Sequence, residues 1–282
     1  MAKFLRACSQ QRVGYPWPAA FVAVYFDITE MGPYPLKILA VDTTSGACSV
    51  ALYDQGQVKE TFVRAERDHT RRLLPMVEQV LGESGYSLGQ LDSLAVSQGP
   101  GSFTGLRIAI SCVQGLAFSA NLPVVPVSSL AALALGAVRE NPQWAVLEMP
   151  VLAALDARMQ EVYWGLYDVA NPGHALLPDQ VSSPEQVIAS LESAGYLTAD
   201  KSDVERGESA LLAAGPGWSY PELAALNPQA LQLDAGIHAQ DIAVLAADLW
   251  QQGKQVSADT LQPAYLRNEV TWKKRERIRP SK

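Results

Sequence analysis

Two stretches of the 282-residue chain, ILAVDTTSGACSVALYD at 38–54 and VLAALDARMQEVYWGLYD at 151–168, are built alike. Each reads as an apolar strand, an aspartate, a short turn and a second apolar strand closing on Leu-Tyr-Asp. Asp42 matches Asp156 and Asp54 matches Asp168, both at an offset of 114, and Gly99-Pro-Gly101 returns as Gly215-Pro-Gly217 at an offset of 116. Independent matches at nearly one offset predict an internal duplication. Working outward, strands are expected over 37–41, 49–53 and 58–64, the last after the Asp54-Gln-Gly56 turn. Leu73, Leu74, Val77, Val80 and Leu81 then recur at helical spacing from Asp68 towards Gly85. A strand over 91–97, an apolar helix over 103–120, a strand over 124–127 and an alanine-rich helix from Ser129 complete the first half. The second half adds a helix over 185–196, a strand over 210–214 and an amphipathic helix over 241–252, with the polar stretch 197–208 as a loop. The fold class is therefore α/β: two similar lobes, 37–148 and 149–272, each with about five strands in a mixed sheet. A cleft between the lobes is expected, with the last helix free to pack back on the first lobe.

Composition narrows the function classes. Hydrophobic residues make up 48% and charged residues 18%, enough for a large core and too few charges for a disordered chain. The three cysteines, Cys8, Cys48 and Cys112, form no CxxC pair, which excludes a disulfide scaffold or zinc ribbon and fits a reducing cytoplasm. Net charge is −7, yet residues 273–282 hold six Lys/Arg against Glu276, so the preceding 272 residues carry 16 Lys/Arg against 28 Asp/Glu. An acidic body with one basic tail argues against a broad nucleic-acid-coating surface and leaves room for one short basic contact. Residues 1–36 read differently from the rest: an apolar run over 13–26 is interrupted by Pro16 and Pro18 and exits into Asp27-Ile-Thr-Glu30. That is not the uninterrupted centre of a secretory signal, and the stretch is expected to be an extension outside the core, with Met31 as an alternative first residue. No other uncharged apolar stretch reaches the roughly 18 residues of a membrane span.

Candidate chemistry is sparse. Asp42, Thr43, Thr44 and Ser45 end the first strand in a turn rich in hydroxyls and backbone donors. Such a turn either caps its own hairpin or holds a phosphate, as in an actin or sugar-kinase site. The matching turn, Asp156-Ala-Arg-Met-Gln160, lacks glycine. Ser97-Gln-Gly-Pro-Gly-Ser-Phe-Thr-Gly-Leu-Arg107 leads from strand into helix but lacks the Gly-Lys-Ser/Thr of a Walker loop. Arg107 is the only charge from Ser102 to Ala120, so that helix should be covered on more than one side, and Gly105, Ala109 and Ser111 permit close approach. His69, His174 and His238 are isolated in sequence, and no metal pair or nucleophile elbow is present.

The segments KILAVDTTSGACSVALYDQGQV, HTRRLLPMVEQVL, LAVSQGPGSFTGLRI, GLAFSANLPVVPVSSL, ALDARMQEVYWGLYD and PAYLRNEVTWKK together resemble the TsaB family, also called YeaZ, over about residues 37–275. The resemblance implies a duplicated two-lobe actin/hexokinase/Hsp70-like (ASKHA) fold and a cytoplasmic protein with no cofactor and no membrane association. It also implies a non-catalytic scaffold in the transfer of threonylcarbamoyl to the tRNA adenosine beside the anticodon. The implied direct partner is the catalytic paralogue TsaD, with the ATPase TsaE joining within the complex and tRNA meeting it indirectly, the basic tail being one route. TsaD holds a metal through a His-x-x-x-His motif after a strand ending Val-Pro-Val. Here that place reads Ser129-Leu-Ala-Ala-Leu133, which offers no imidazole, and a metallopeptidase reading fails for the same reason. Docking is expected on the helices beginning at His69 and Ser102, through His69, Leu73, Leu74, Val77, Gly105, Ala109, Cys112 and Leu116, and the same helices offer the isolated chain a route to a homodimer. A small-molecule kinase using Asp42-Thr43-Thr44 is the alternative.

Overall fold

The structure is a computed structural model that describes residues 36–64, 68–171, 173–197 and 209–267. The expected extension, the basic tail and nearly all of the polar stretch 197–208 lie outside the described residues. The first sheet contains β1 (Lys37–Asp42), β2 (Ala47–Asp54), β3 (Gln57–Arg64), β4 (Ser93–Gly99) and β5 (Val124–Ser128) in the order β3-β2-β1-β4-β5. Strands β1, β2 and β3 run antiparallel as successive hairpins, while β4 and β5 run parallel to β1. Parallel pairing requires crossovers. These are α1 (His69–Ser84), between β3 and β4, and α2 (Phe103–Ala120), between β4 and β5.

β1 reads as an unbroken apolar run because both its faces are covered. Ile38 and Ala40 face one core cluster, and Leu39 and Val41 face another formed with α1 and α2. Edge strand β3 alternates instead between exposed and partly covered residues. Gly85, at φ 73°, ends α1, and Asn121, at φ 52°, ends α2. Both take the left-handed cap that frees the chain to turn.

The second sheet contains β6 (Val151–Arg158), β7 (Glu161–Tyr167), β8 (Ala175–Ser182), β9 (Ser209–Ala214) and β10 (Pro228–Gln232) in the order β10-β9-β6-β7-β8. Read from the other end this is the order of the first sheet, element for element, so the repeat seen in the sequence is a repeat of topology. The architecture is the duplicated actin/hexokinase/Hsp70-like one. Helices α3 (Ser129–Glu140), α4 (Pro184–Ser193), α5 (Pro221–Ala224) and α6 (Ala239–Gln251) complete it.

The two lobes share one core. Residues 129–138 of α3 are buried without interruption, and one apolar cluster runs from Ile38 and Ala40 through α3 and α6 into Val151, Ala153 and Leu212 of the second sheet. Helix α6 lies across β1 and β2. Beyond it the chain bridges Val256 to Val124, buries Leu261 beside α2 and donates the Ala264 amide to the Gln98 carbonyl at 2.8 Å. Residues 256–264 thus strap the first lobe.

Polar groups fix α6 in place. Arg139 at the end of α3 grips Asp241 in the first turn of α6, with Nε to Oδ1 at 2.9 Å and Nη2 to Oδ2 at 3.1 Å. Asp241 is 0% exposed, and burial pushes its carboxyl up to about 6 despite the guanidinium beside it. Glu60 of β3 meets His238 Nδ1 at 3.0 Å and accepts from Gln240, while the Ala239 amide donates to Ser49 Oγ at 2.9 Å. Arg139→Met should leave the Asp241 carboxylate buried without its cation and lower unfolding free energy by about 3–5 kcal/mol. Adding Asp241→Leu should restore much of the loss. Equal stability of Arg139→Met and the parent in urea would contradict this reading.

Candidate partner-docking site

The Asp42 turn is closed by its own chain. Asp42 Oδ1 accepts from the Thr44 amide at 3.2 Å, from Thr44 Oγ1 at 2.6 Å and from the Ser97 hydroxyl. Thr43 Oγ1 donates to the Gly105 carbonyl at 2.7 Å, and the Ser102 amide donates to the Thr44 carbonyl at 3.0 Å. The first turn of α2 therefore sits directly on the β1–β2 turn. It can do so only because Gly105 lacks a side chain: a Cβ there would lie 1.9 Å from the Thr43 carbonyl oxygen. Asp42, Thr43 and Thr44 are buried, and only Ser45 and Gly46 reach the surface. Burial raises Asp42 to about 6, outweighing its three hydrogen bonds, and its Oδ2 is buried without a partner.

The place where a metal pair would stand is core. Ser129 and Leu133 are both fully buried, and Leu133 Cδ2 would meet a Cβ on Gly215 at 2.7 Å. Among the described residues no group of three or more His, Cys, Asp or Glu side chains can hold a metal ion. His69 is partly buried at the start of α1, with an unpartnered Nδ1 and a pKa lowered by burial, His174 is exposed and His238 is taken by Glu60.

The prominent surface feature is a groove of about 780 Å³ between α1 and α2, walled by Leu73, Leu74, Phe103, Ile108, Cys112 and Leu116. Leu74 is 50% exposed and Phe103 56%, with Phe118 at 85% near the far end of α2. At the groove mouth the Arg107 guanidinium lies 3.8 Å over the Phe103 ring and donates from Nε to Tyr265 Oη at 3.3 Å. By length and composition α2 matches a membrane span, yet one face packs into the first lobe through Gly105, Leu106, Ala109, Ile110, Val113 and Ala117.

Of the expected contact residues, Leu73, Leu74, Cys112 and Leu116 line this groove. His69, at the start of α1, does not, and neither do Val77, Gly105 and Ala109, which lie on the inward stripes of α1 and α2, so Ala109 is fully buried and cannot serve as a surface probe. Phe103, Ile108 and Gly115 were not among the expected residues and belong to the groove. Arg107 carried the missing signal. Positions three, four and eight residues from it, namely 103, 104, 111 and 115, share its outward face.

The duplicated sheet order makes this an actin/hexokinase/Hsp70-like protein, and on that fold the phosphate turn is sealed, the metal position is packed and an apolar groove is exposed. A family model described as TsaD, tRNA N6-adenosine threonylcarbamoyltransferase, matches residues 63–259. The Escherichia coli tRNA threonylcarbamoyladenosine biosynthesis protein TsaB is 40% identical over 85% of this chain and 98% of its own length. Its namesake from Haemophilus influenzae is 37% identical over 85% of this chain and 97% of its own. The solved structure of YeaZ from Pseudomonas aeruginosa is similar at a TM-score of 0.69, with 39% identity over 82% of this chain and all of that one. The chain belongs to the TsaB (YeaZ) family.

The raised Asp42 carboxyl gives a signed pH effect. Because the folded state holds this proton more tightly than the unfolded chain does, the stabilisation is full below about 3.8 and is lost as pH rises through about 6. Asp42→Asn should flatten part of the fall in melting temperature between pH 4 and 7, Asp241 supplying a remaining slope of the same sign. Identical pH profiles for variant and parent would contradict the assignment.

Proposed function

We propose that this chain is a non-catalytic, pseudo-enzyme subunit in the making of threonylcarbamoyladenosine on tRNA in the cytoplasm. Its two lobes, 37–148 and 149–272, act as one scaffold that docks the catalytic paralogue TsaD on the α1–α2 groove and, through that pair, works with TsaE. The observation that supports this most is the groove itself: an apolar channel between α1 and α2, flanked by half-exposed Leu74 and Phe103. Family membership supplies the pathway, since the similar E. coli and H. influenzae proteins are named for it. The isolated chain pairs with itself through the same face, and the basic residues of 273–282 give the assembled complex a contact with tRNA phosphates.

The kinase alternative loses its ground in the first lobe. A phosphate would need the backbone space at the Asp42 turn that the first turn of α2 occupies, and the Thr43 and Thr44 hydroxyls already serve protein acceptors.

Leu74→Asp and Phe103→Asp each place a carboxylate at a half-exposed site, so the melting temperature should move by no more than about 2 °C. Affinity for purified TsaD should fall at least about 100-fold, a cost of roughly 3 kcal/mol. Transfer of threonylcarbamoyl to tRNA in a reconstituted mixture should fall with it. Undiminished binding by both folded variants would overturn the groove as the docking face.

A further inference from the structure

The second lobe carries an exposed feature that the groove does not account for. Where the Asp42 turn is sealed, its repeat partner, the turn after Asp156, stands open. The β6–β7 register leaves a two-residue turn, Met159-Gln160, preceded by a bulge, and Arg158, Met159 and Gln160 all have positive φ, at 64°, 57° and 62°. Turns of this kind are ordinarily made of Asn-Gly, since left-handed backbone is costly for residues with a Cβ. Here three large side chains are held in it. Asp156 accepts from the Arg158 amide at 2.9 Å and pairs with Arg158 Nη1 at 3.2 Å, and Tyr220 Oη donates to the same carboxylate at 3.1 Å. From the C-terminal strap, Arg267 Nη1 reaches Met159 Sδ at 3.6 Å and Nη2 pairs with Glu161. The result is a braced tip on which Met159 is 63% exposed and the Arg158 side chain 86% exposed. Strain maintained at an exposed position, where a cheaper turn was open to the sequence, points to a use for the side chains. Methionine and arginine are side chains enriched at protein contacts.

The tip is continuous with the groove. Tyr265 packs on Phe103, their rings 5.9 Å apart, and accepts from Arg107 at the groove mouth, and Arg267, two residues on, holds Met159. A partner lying along the groove and past Tyr265 therefore meets the tip next. We propose that the protein docked on the α1–α2 groove also takes Met159 into an apolar socket bordered by carboxylates that face Arg158. This rests on the docking reading above and makes the second lobe a specific part of the contact.

The test uses the full chain and purified TsaD. Met159→Asn with Gln160→Gly installs the relaxed turn and should raise the melting temperature by a few degrees while weakening TsaD binding at least tenfold. Met159→Ala, which leaves the backbone alone, should weaken binding about fivefold at unchanged melting temperature, and Arg158→Glu should weaken it while reducing its salt dependence. Leu74→Asp is measured alongside. If Leu74→Asp abolishes binding while the three tip variants bind like the parent, the tip proposal alone is wrong. If Leu74→Asp binds normally, the groove reading fails and the tip proposal falls with it. Loss of affinity for free tRNA with TsaD affinity unchanged would assign the tip to RNA and likewise overturn the proposal.

Discussion

The missing side chain at Gly105 is the constraint on which the rest of the molecule depends. It lets the first turn of α2 lie against the Thr43 carbonyl, where any Cβ would collide at 1.9 Å, and Thr43 Oγ1 then donates to the Gly105 carbonyl to hold the contact. Two consequences follow from this one approach. The Asp42 turn loses the room a phosphate would need, and the rotational phase of α2 is set, with Leu106, Ala109, Ile110 and Val113 buried in the first lobe and Phe103, Ile108 and Leu116 lining the groove. The surface groove and the sealed turn are two sides of the same packing decision.

Duplication explains both the likeness and the contrast of the lobes. Both sheets share one strand order, and in both a Gly-Pro-Gly segment crosses close to the first strand, Gly101 against Thr44 and Gly217 against Ala154. After that segment the copies part. The first enters an 18-residue helix that covers its turn, and the second enters a short 3-10 turn and a four-residue helix, leaving the β6–β7 tip bare. Between the sheets α3 and α6 are enclosed by a shared apolar cluster, so the lobes are joined by core.

The sequence carried much of this, unevenly. Strong alternation and helical spacing located β1 to β5, α1 and α2 to within about two residues, and the Asp42–Asp156 repeat gave the duplication. Strand β8 was not legible because Pro178 and Asp179 interrupt its apolar pattern, which an edge position tolerates, and β10 is only five residues long and begins at Pro228. The docking face was half legible. A helix apolar on every side has no phase of its own, so the spacing left open whether Ala109 faces outward, and only the lone charge of Arg107 marked the true outward direction. The Glu60–His238 contact joins residues 178 apart, and no local pattern announces it. The shared core was equally silent, since ten consecutive buried residues in α3 look in sequence like any alanine-rich helix.

On the docking reading this protein works through the outer face of its first lobe while the Asp42 turn stays shut. Amide hydrogen exchange on the intact chain, alone and with TsaD, then with ATP and magnesium, reads both halves of that statement. Added protection is expected with TsaD in residues 70–74 and 103–116, and no change at residues 42–46 with nucleotide. Protection at residues 42–46 on adding ATP, with residues 103–116 unaffected by TsaD, would contradict it.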